Sequence, residues 1–393
     1  MKTAIVGGGA AGFFLAINLK EMMPQMDVTI LERSQRVLAK VEVSGGGHCN
    51  CTNSFADVSD LSQVYPRGHR LLKRLFKQFD HRDAYQWFER HGVRLTTQDD
   101  QCVFPASQDS HTIINCFLGE ARRHHIKIRS GARVEAVNSL FRDYDYVCVC
   151  TGGSPRPEGL QWLADAGHEI VPPVPSLFTL SIADKAFCDL MGTVVEGVHV
   201  GIAGTKMRAE GPLLITHWGV SGPAVLRLSS YAARYLSEAA YQVPLTVNWT
   251  GLREPEVLEQ LHDIALQHPM KQLSTVRPCG LPARLWEYLL KKTLGERSQG
   301  RWQGVNRKEL NRLTNALVND TYHTSGRAAF RDEFVTCGGI ALSSVNPSTL
   351  ESRHVPRLFF AGEVLDVDGV TGGFNFQAAW TTAFAVASAI ARQ

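Results

Sequence analysis

The sequence predicts an α/β fold in which a parallel-sheet domain is split along the chain by a second, inserted domain. Three observations predict it. The first thirty-two residues alternate strand, glycine turn, helix and strand. A further strand, a glycine-rich loop and a long apolar helix appear only near the other end, from Leu358 onward. Between them, from about Ser176, the chain changes to short β-like runs and then to helical, more polar sequence.

Residues 3–6 are apolar and β-prone, 11–22 are helical in pattern and 28–31 form a second strand, which together make a βαβ unit. A basic amphipathic helix is expected over 68–79. Leu72, Leu75, Phe76 and Phe79 recur on one side, and Arg70, Lys73, Arg74 and Lys77 form a solvated stripe on another. Residues 146–150 form a short strand running into Thr151-Gly152-Gly153, and Val171-Pro172-Pro173-Val174-Pro175 reads as a connection between domains. Short β-like runs at 194–200 and 242–247 follow. The tail returns to a strand at 358–361 and a small-residue helix over 375–391. The expected organisation is a discontinuous domain, 1–175 and 333–393, and an inserted substrate or cap domain, 176–332, whose helical part covers about 252–317.

A chain of 393 residues can bury a deep site, and its composition is that of a globular enzyme: 44% hydrophobic, 20% charged, net charge +3. That balance is too small to imply nucleic acid or a membrane surface and by itself names no partner; a small-molecule substrate is expected, with no nucleic acid and no membrane. No apolar run approaches the roughly 18 residues that span a bilayer, and Met1-Lys2-Thr3 leads into a strand rather than a signal peptide, so the expected location is cytoplasmic. The nine cysteines include no Cys-x-x-Cys; no metal site is expected, and the thiols read as reduced and buried.

Gly7-Gly8-Gly9-Ala10-Ala11-Gly12 fits G-x-G-x-x-G between a strand and a helix. Gly7 permits the tight turn, Gly9 lets backbone approach a pyrophosphate, and Gly12 lets helix and strand pack closely. The helix N-terminus supplies N–H donors and partial positive charge. Glu32, at the end of the second strand, is placed to accept from ribose hydroxyls. At the far end, Glu363 or Asp366, after the strand that ends at Gly362, can serve a ribityl chain. The helix starting at Gly372-Gly373 can point N–H groups at a flavin pyrimidine, with Asn375 and Gln377 as further donors. A simple nicotinamide dehydrogenase needs no such second element, so FAD is the expected cofactor.

The run Ser44-Gly45-Gly46-Gly47-His48-Cys49-Asn50-Cys51-Thr52-Asn53 would let backbone approach a flat cofactor. The candidate cofactor-binding set is Gly7, Gly9, Ala10, Ala11, Gly12, Glu32, Arg33, Lys40, Ser44, Gly45, Gly46, Cys49, Asn50, Thr52 and Asn53. It continues with Thr151, Gly152, Gly153, Gly362, Glu363, Asp366, Gly372, Gly373, Phe374 and Asn375. In Thr216-His217-Trp218-Gly219-Val220-Ser221-Gly222-Pro223, Ser221 takes an N-cap position, Pro223 lies in the first turn, and His217 is the weak candidate for a proton donor.

These blocks, with Val103-Phe104-Pro105, Gly167-His168 and Thr336-Cys337-Gly338-Gly339, resemble the BaiN-like (YhiN-like) NAD(P)/FAD-dependent oxidoreductases over nearly the whole chain. The most specific block runs from Ala361 to Gln377. The resemblance implies an FAD-binding, Rossmann-like domain of the two-dinucleotide-binding type, and an inserted β-barrel-like domain with a helical excursion. Two departures stand out: His48 replaces a usual arginine, and the loop after Gly153 is shortened.

The expected activity is FAD-dependent hydride transfer between a donor and a small organic substrate, with an enone-like double bond as the expected acceptor. No second G-x-G-x-x-G follows a strand, so NAD(P)H would visit the flavin only transiently. The alternatives are a flavin-bearing nucleic-acid-modifying factor, supported by the basic stripe over 67–82 and Lys291-Lys292, and a non-catalytic flavin-binding regulator.

Overall fold

A computed structural model describes residues 1–154, 156–328 and 335–393. Pro155, in the loop after Gly153, and the expected domain boundary at 332/333 lie outside the described residues. The chain divides into two compact units, Met1–Pro175 with Val335–Gln393, and Ser176–Phe334.

The first unit is built on a five-stranded parallel sheet. Its central strand, β1 (Lys2–Val6), pairs with β2 (Asp27–Glu32) on one side and with Tyr146–Val149 on the other. Lys127–Ser130 adds outside β2, and Leu358–Phe360 adds outside Tyr146–Val149. The returning strand thus ends one strand away from β1 rather than beside it.

Helix α1 (Ala10–Met22) crosses from β1 to β2, and nine of its residues are buried, so it has no solvent face. The C-terminal helix Phe374–Ala391 is equally apolar, with fourteen residues buried, and packs along α1. Phe14 of α1 anchors this layer, with ring centroids 4.6 Å from Trp87, 5.1 Å from Trp380 and 5.4 Å from Phe79. The basic helix is shorter than expected, His69–Leu75, and Arg70, Lys73, Arg74 and Lys77 are exposed.

The proline-rich segment is not a free connection. Ile170–Ser176 is a strand paired with Val335–Ile340 in a two-stranded sheet. Prolines survive there because a strand with a single partner leaves one edge on which no N–H is needed.

The second unit is a closed six-stranded antiparallel barrel. Val194–Ile202, Arg208–Thr216, Gly219–Ser221, Leu180–Ile182, Asp320–Arg327 and Pro244–Asn248 pair in that order, and the last strand returns to the first. Helices Glu254–Gln267, Ala283–Leu294 and Arg307–Val318 form the helical part between two barrel strands. Among the described residues no helix is long and apolar enough to cross a membrane.

One buried ion pair in the first unit was not apparent from the sequence. Arg67 forks onto Asp368, which is 0% exposed, with Nε to Oδ1 at 2.5 Å and a second bond from the guanidinium to Oδ2. Removing the cation would strand a carboxylate in the core. Arg67→Ala is expected to cost about 3–5 kcal/mol in urea unfolding, whereas Arg67→Met with Asp368→Leu should cost clearly less. Equal losses in the two variants would mean that shape, not charge, holds this contact.

Candidate functional site

The glycine turn is shaped by contacts that only glycine allows. At Gly7, φ is +113° and an added Cβ would sit 2.3 Å from the Cys150 carbonyl oxygen; at Gly12 it would sit 2.0 Å from that of Gly7. Gly9 differs: a Cβ there would meet nothing within 4 Å. Gly9 is also the N-cap of α1, and no side chain caps it. The first-turn N–H groups of Ala10, Ala11 and Gly12 therefore receive no side-chain cap at the positive end of the helix.

Glu32 borders this cradle. Its Oε2 accepts from Gly8 N–H and its Oε1 from Ser34 N–H, each at 2.8 Å, and each oxygen keeps a further lone pair. Arg33 beside it is exposed. Glu363 lies across the sheet end. Its Oε1 accepts from Thr336 N–H at 2.8 Å and its Oε2 from Lys40 Nζ at 3.2 Å. A Cβ on Gly153 would lie 2.7 Å from Oε1, and one on Gly152 would lie 3.7 Å from Oε2. Gly362 packs on Ala11, where a Cβ would come within 2.9 Å of the alanine methyl. The two chain ends thus meet here, with Lys40, Gly152, Gly153, Gly362 and Glu363 beside the turn. Thr151 is exposed at the end of its strand, and Asp366 is half-buried, its N–H donating to Ile340.

A second cluster joins the 44–53 segment to Gly372-Gly373. Ser44–Gly47 is a single tight turn, with Gly45 and Gly46 at positive φ. Asn53 Nδ2 donates to the Gly372 carbonyl at 3.0 Å, and Thr52 Oγ1 donates to Gln377 Oε1 at 2.6 Å. With its amide oriented to satisfy both neighbours, Asn50 donates to the Thr52 carbonyl and accepts from Gly373 N–H.

This geometry corrects several expectations. Gln377, 0% exposed, is held by Thr52 and Thr381 and is shut off from a ligand, whereas Asn375, half-buried, exchanges two hydrogen bonds with the backbone of Gly369 and keeps a second amide N–H. Phe374 is buried against Phe55 and Tyr65. A side chain at Gly373 would strike the Thr52 carbonyl, 2.1 Å from the Cβ position, before reaching any cofactor. Cys49 is fully buried; its N–H is bound to Ser44, and burial pushes its thiol up to about 12, so it supports the loop rather than a ligand. The N-cap of helix Pro223–Tyr231 is Gly222, at φ +95°, and Ser221 ends the preceding strand. His217 is exposed in the second unit, its ring 4.2 Å from Trp218. Cys279 is exposed, whereas most of the other thiols are buried. Among the described residues no three His, Cys, Asp or Glu side chains group to hold a metal.

The fold and the cradle define a Rossmann-type nucleotide-binding protein. The HI0933-like protein Rossmann domain model matches residues 1–389, and the chain belongs to that family. It is 26% identical to the 3-dehydro-bile acid delta(4,6)-reductase of Clostridium scindens, over 100% of this chain and 99% of the relative. It is 27% identical to the ribosomal RNA dihydrouridine synthase of Haemophilus influenzae, over 99% and 98%. Among solved structures it is similar to a 3-ketosteroid delta1-dehydrogenase from Sterolibacterium denitrificans, at a TM-score of 0.49 and 11% identity over 99% of each chain.

The open cradle at Gly9 can be tested without disturbing the core. Gly9 has φ −94° and ψ −166°, which any residue adopts, and its Cβ position is empty. Gly9→Val is expected to keep the melting temperature of the flavin-free wild-type protein while losing most of its FAD, read from flavin absorbance per protein after gel filtration. Full occupancy in the variant would remove Gly9 from the pyrophosphate site.

Proposed function

We propose that the protein reduces a carbon–carbon double bond conjugated to a carbonyl, using FAD as carrier and NAD(P)H as a transient donor. One observation carries the acceptor. Two relatives that each align over almost the whole chain are named for substrates of very different size, a steroid acid and an RNA base. A 3-dehydro, delta(4,6)-unsaturated ring and the uracil ring share one feature: a C=C in conjugation with a C=O. Saturating it adds hydride at the carbon β to the carbonyl and a proton at the α carbon.

The residues present fit FAD. The N–H groups of Ala10, Ala11 and Gly12 would take the pyrophosphate, Glu32 the ribose hydroxyls, and Glu363 with Lys40 the polyol side. Bound there, FAD supplies two-electron hydride chemistry. Gly373 and the Asn50 amide form a rigid shelf with Thr52 for the ring end, and the packing of Gly372-Gly373 fixes that shelf in place. The inserted unit, Ser176–Phe334, serves as the substrate or cap domain, with His217 as its candidate proton donor. An exposed imidazole suits that role because it exchanges protons with water between turnovers.

Anaerobic mixing tests the whole reading. NADH or NADPH should bleach the flavin band, and a cyclic enone should restore it in stoichiometric amount. His217→Ala should slow the return step by about 10²-fold or more while leaving bleaching unchanged. A flavin reduced by neither nicotinamide, or a reduced flavin reoxidised only by oxygen, would overturn the proposed reaction.

A further inference from the structure

The helical part of the second unit leaves an apolar cleft at its surface. Helices Glu254–Gln267 and Arg307–Val318 pack on each other, and a cleft of about 780 Å³ opens between side chains of the two. Trp302 and Leu310, both buried, line its depth. From the first helix come Leu258, Glu259 and Leu266, which lie on one face because they stand one and eight residues apart from Leu258. From the second helix comes Arg307.

Leu266 is 67% exposed, more than any other large hydrophobic side chain among the described residues. Met270, one turn further on, is 60% exposed. Its turn is fixed beside the cleft, because the N–H of Gln303, a further cleft residue, donates to the Pro269 carbonyl at 2.9 Å. An apolar cleft with two protruding apolar side chains at its rim is costly to leave in water, and such patches mark contact sites.

The two walls carry opposite charge. Helix Glu254–Gln267 has four acids and no Lys or Arg, and Asp263 follows Glu259 by one turn on the same side. The other wall offers Arg307. Glu259, Asp263 and Arg307 are all exposed, and none has an ion-pair partner among the described residues. Glu259 and Arg307 thus line the same cleft without neutralising each other.

We infer that this cleft is the contact face of a homodimer, in which a second copy of the chain, related by a two-fold axis, covers it. The inference is independent of the reaction proposed above. A two-fold contact needs a surface that complements itself, so that each residue meets on the partner the residue that its own counterpart meets. A protruding Leu266 beside an apolar cleft meets that condition in shape, and an acidic wall opposite a basic one meets it in charge: the Glu259 wall of each copy faces the Arg307 wall of the other. A partner of a single charge sign, such as a nucleic acid or an anionic membrane, would satisfy one wall and be repelled by the other.

Sedimentation velocity of the full-length, flavin-loaded protein over a concentration series tests the contact. Wild-type protein should reach twice the mass of one chain, and a monomer that persists at about 100 μM would overturn the dimer. Leu266→Asp acts twice in a two-fold contact and should weaken self-association by about tenfold or more, with flavin content and the far-UV circular dichroism spectrum unchanged. Glu259→Arg and Arg307→Glu should each weaken it as well. An equimolar mixture of those two variants should recover the dimer, because both pairs of facing walls are then of opposite sign. Wild-type association by the Leu266→Asp protein would overturn the cleft as the contact face. Charge variants that associate like wild type, or whose mixture stays monomeric, would overturn the two-fold pairing and give the cleft to a different protein or to a small apolar ligand.

Discussion

The approach of α1 to the parallel sheet governs everything else in the nucleotide-binding unit. A Cβ on Gly12 would lie 2.0 Å from the Gly7 carbonyl oxygen, so helix and strand sit closer than any side chain permits. With nine buried residues, α1 cannot tilt away without opening the core. Its first turn is therefore aimed at one point, and the space over Gly9 is left empty by the same packing that fills every other side. The C-terminal helix completes the constraint, because Gly362 rests on Ala11 and Trp380 donates to the Cys51 carbonyl at 2.8 Å. A rigid helix dipole needs no reorganisation when a pyrophosphate arrives, which is the advantage of building an anion site on backbone rather than on flexible side chains.

The parts of this site that were legible in the sequence are the local ones. A strand, a glycine turn, a helix start and an acid at the next strand end follow one another within thirty-two residues, and each signal acts on its own neighbours. The later misreadings share a cause. Gln377 was a reasonable donor from position alone, yet its buried amide is taken up by Thr52 and Thr381. Gly373 was read as the start of a helix aimed at a flavin, and what requires glycine there is the Thr52 carbonyl, 2.1 Å from the Cβ position. Glycine spelled out a close approach in both turns; nothing in the pattern stated what approaches. At Ser221-Gly222 the error was one residue, because a glycine at φ +95° starts the helix where a side-chain cap was expected.

Arg67 and Asp368 show what sequence patterning cannot reach. They are 301 residues apart, and Arg67 looked like the edge of a solvated stripe. The available signal was on the other side. Asp368 follows Val367 and stands two residues before Val370, in a segment that opens with Val364-Leu365, where an unpaired carboxylate is too costly to bury. Such an acid announces a cation somewhere in the chain without naming it. The pair also fastens the segment between Gly362 and Gly372 to the start of the basic helix, so one electrostatic contact helps set the spacing between the two halves of the candidate flavin site.

Charge illustrates the same distinction between an average and a place. A net of +3 over 393 residues argued against a polyanionic partner, and as a statement about the whole molecule it is sound. A phosphate, however, senses charges within about one Debye length, roughly 8–10 Å at physiological salt. Helix Glu254–Gln267 carries four acids and residues 271–312 carry ten cations, so a sum over the whole chain hides how unevenly the two signs are spread along it.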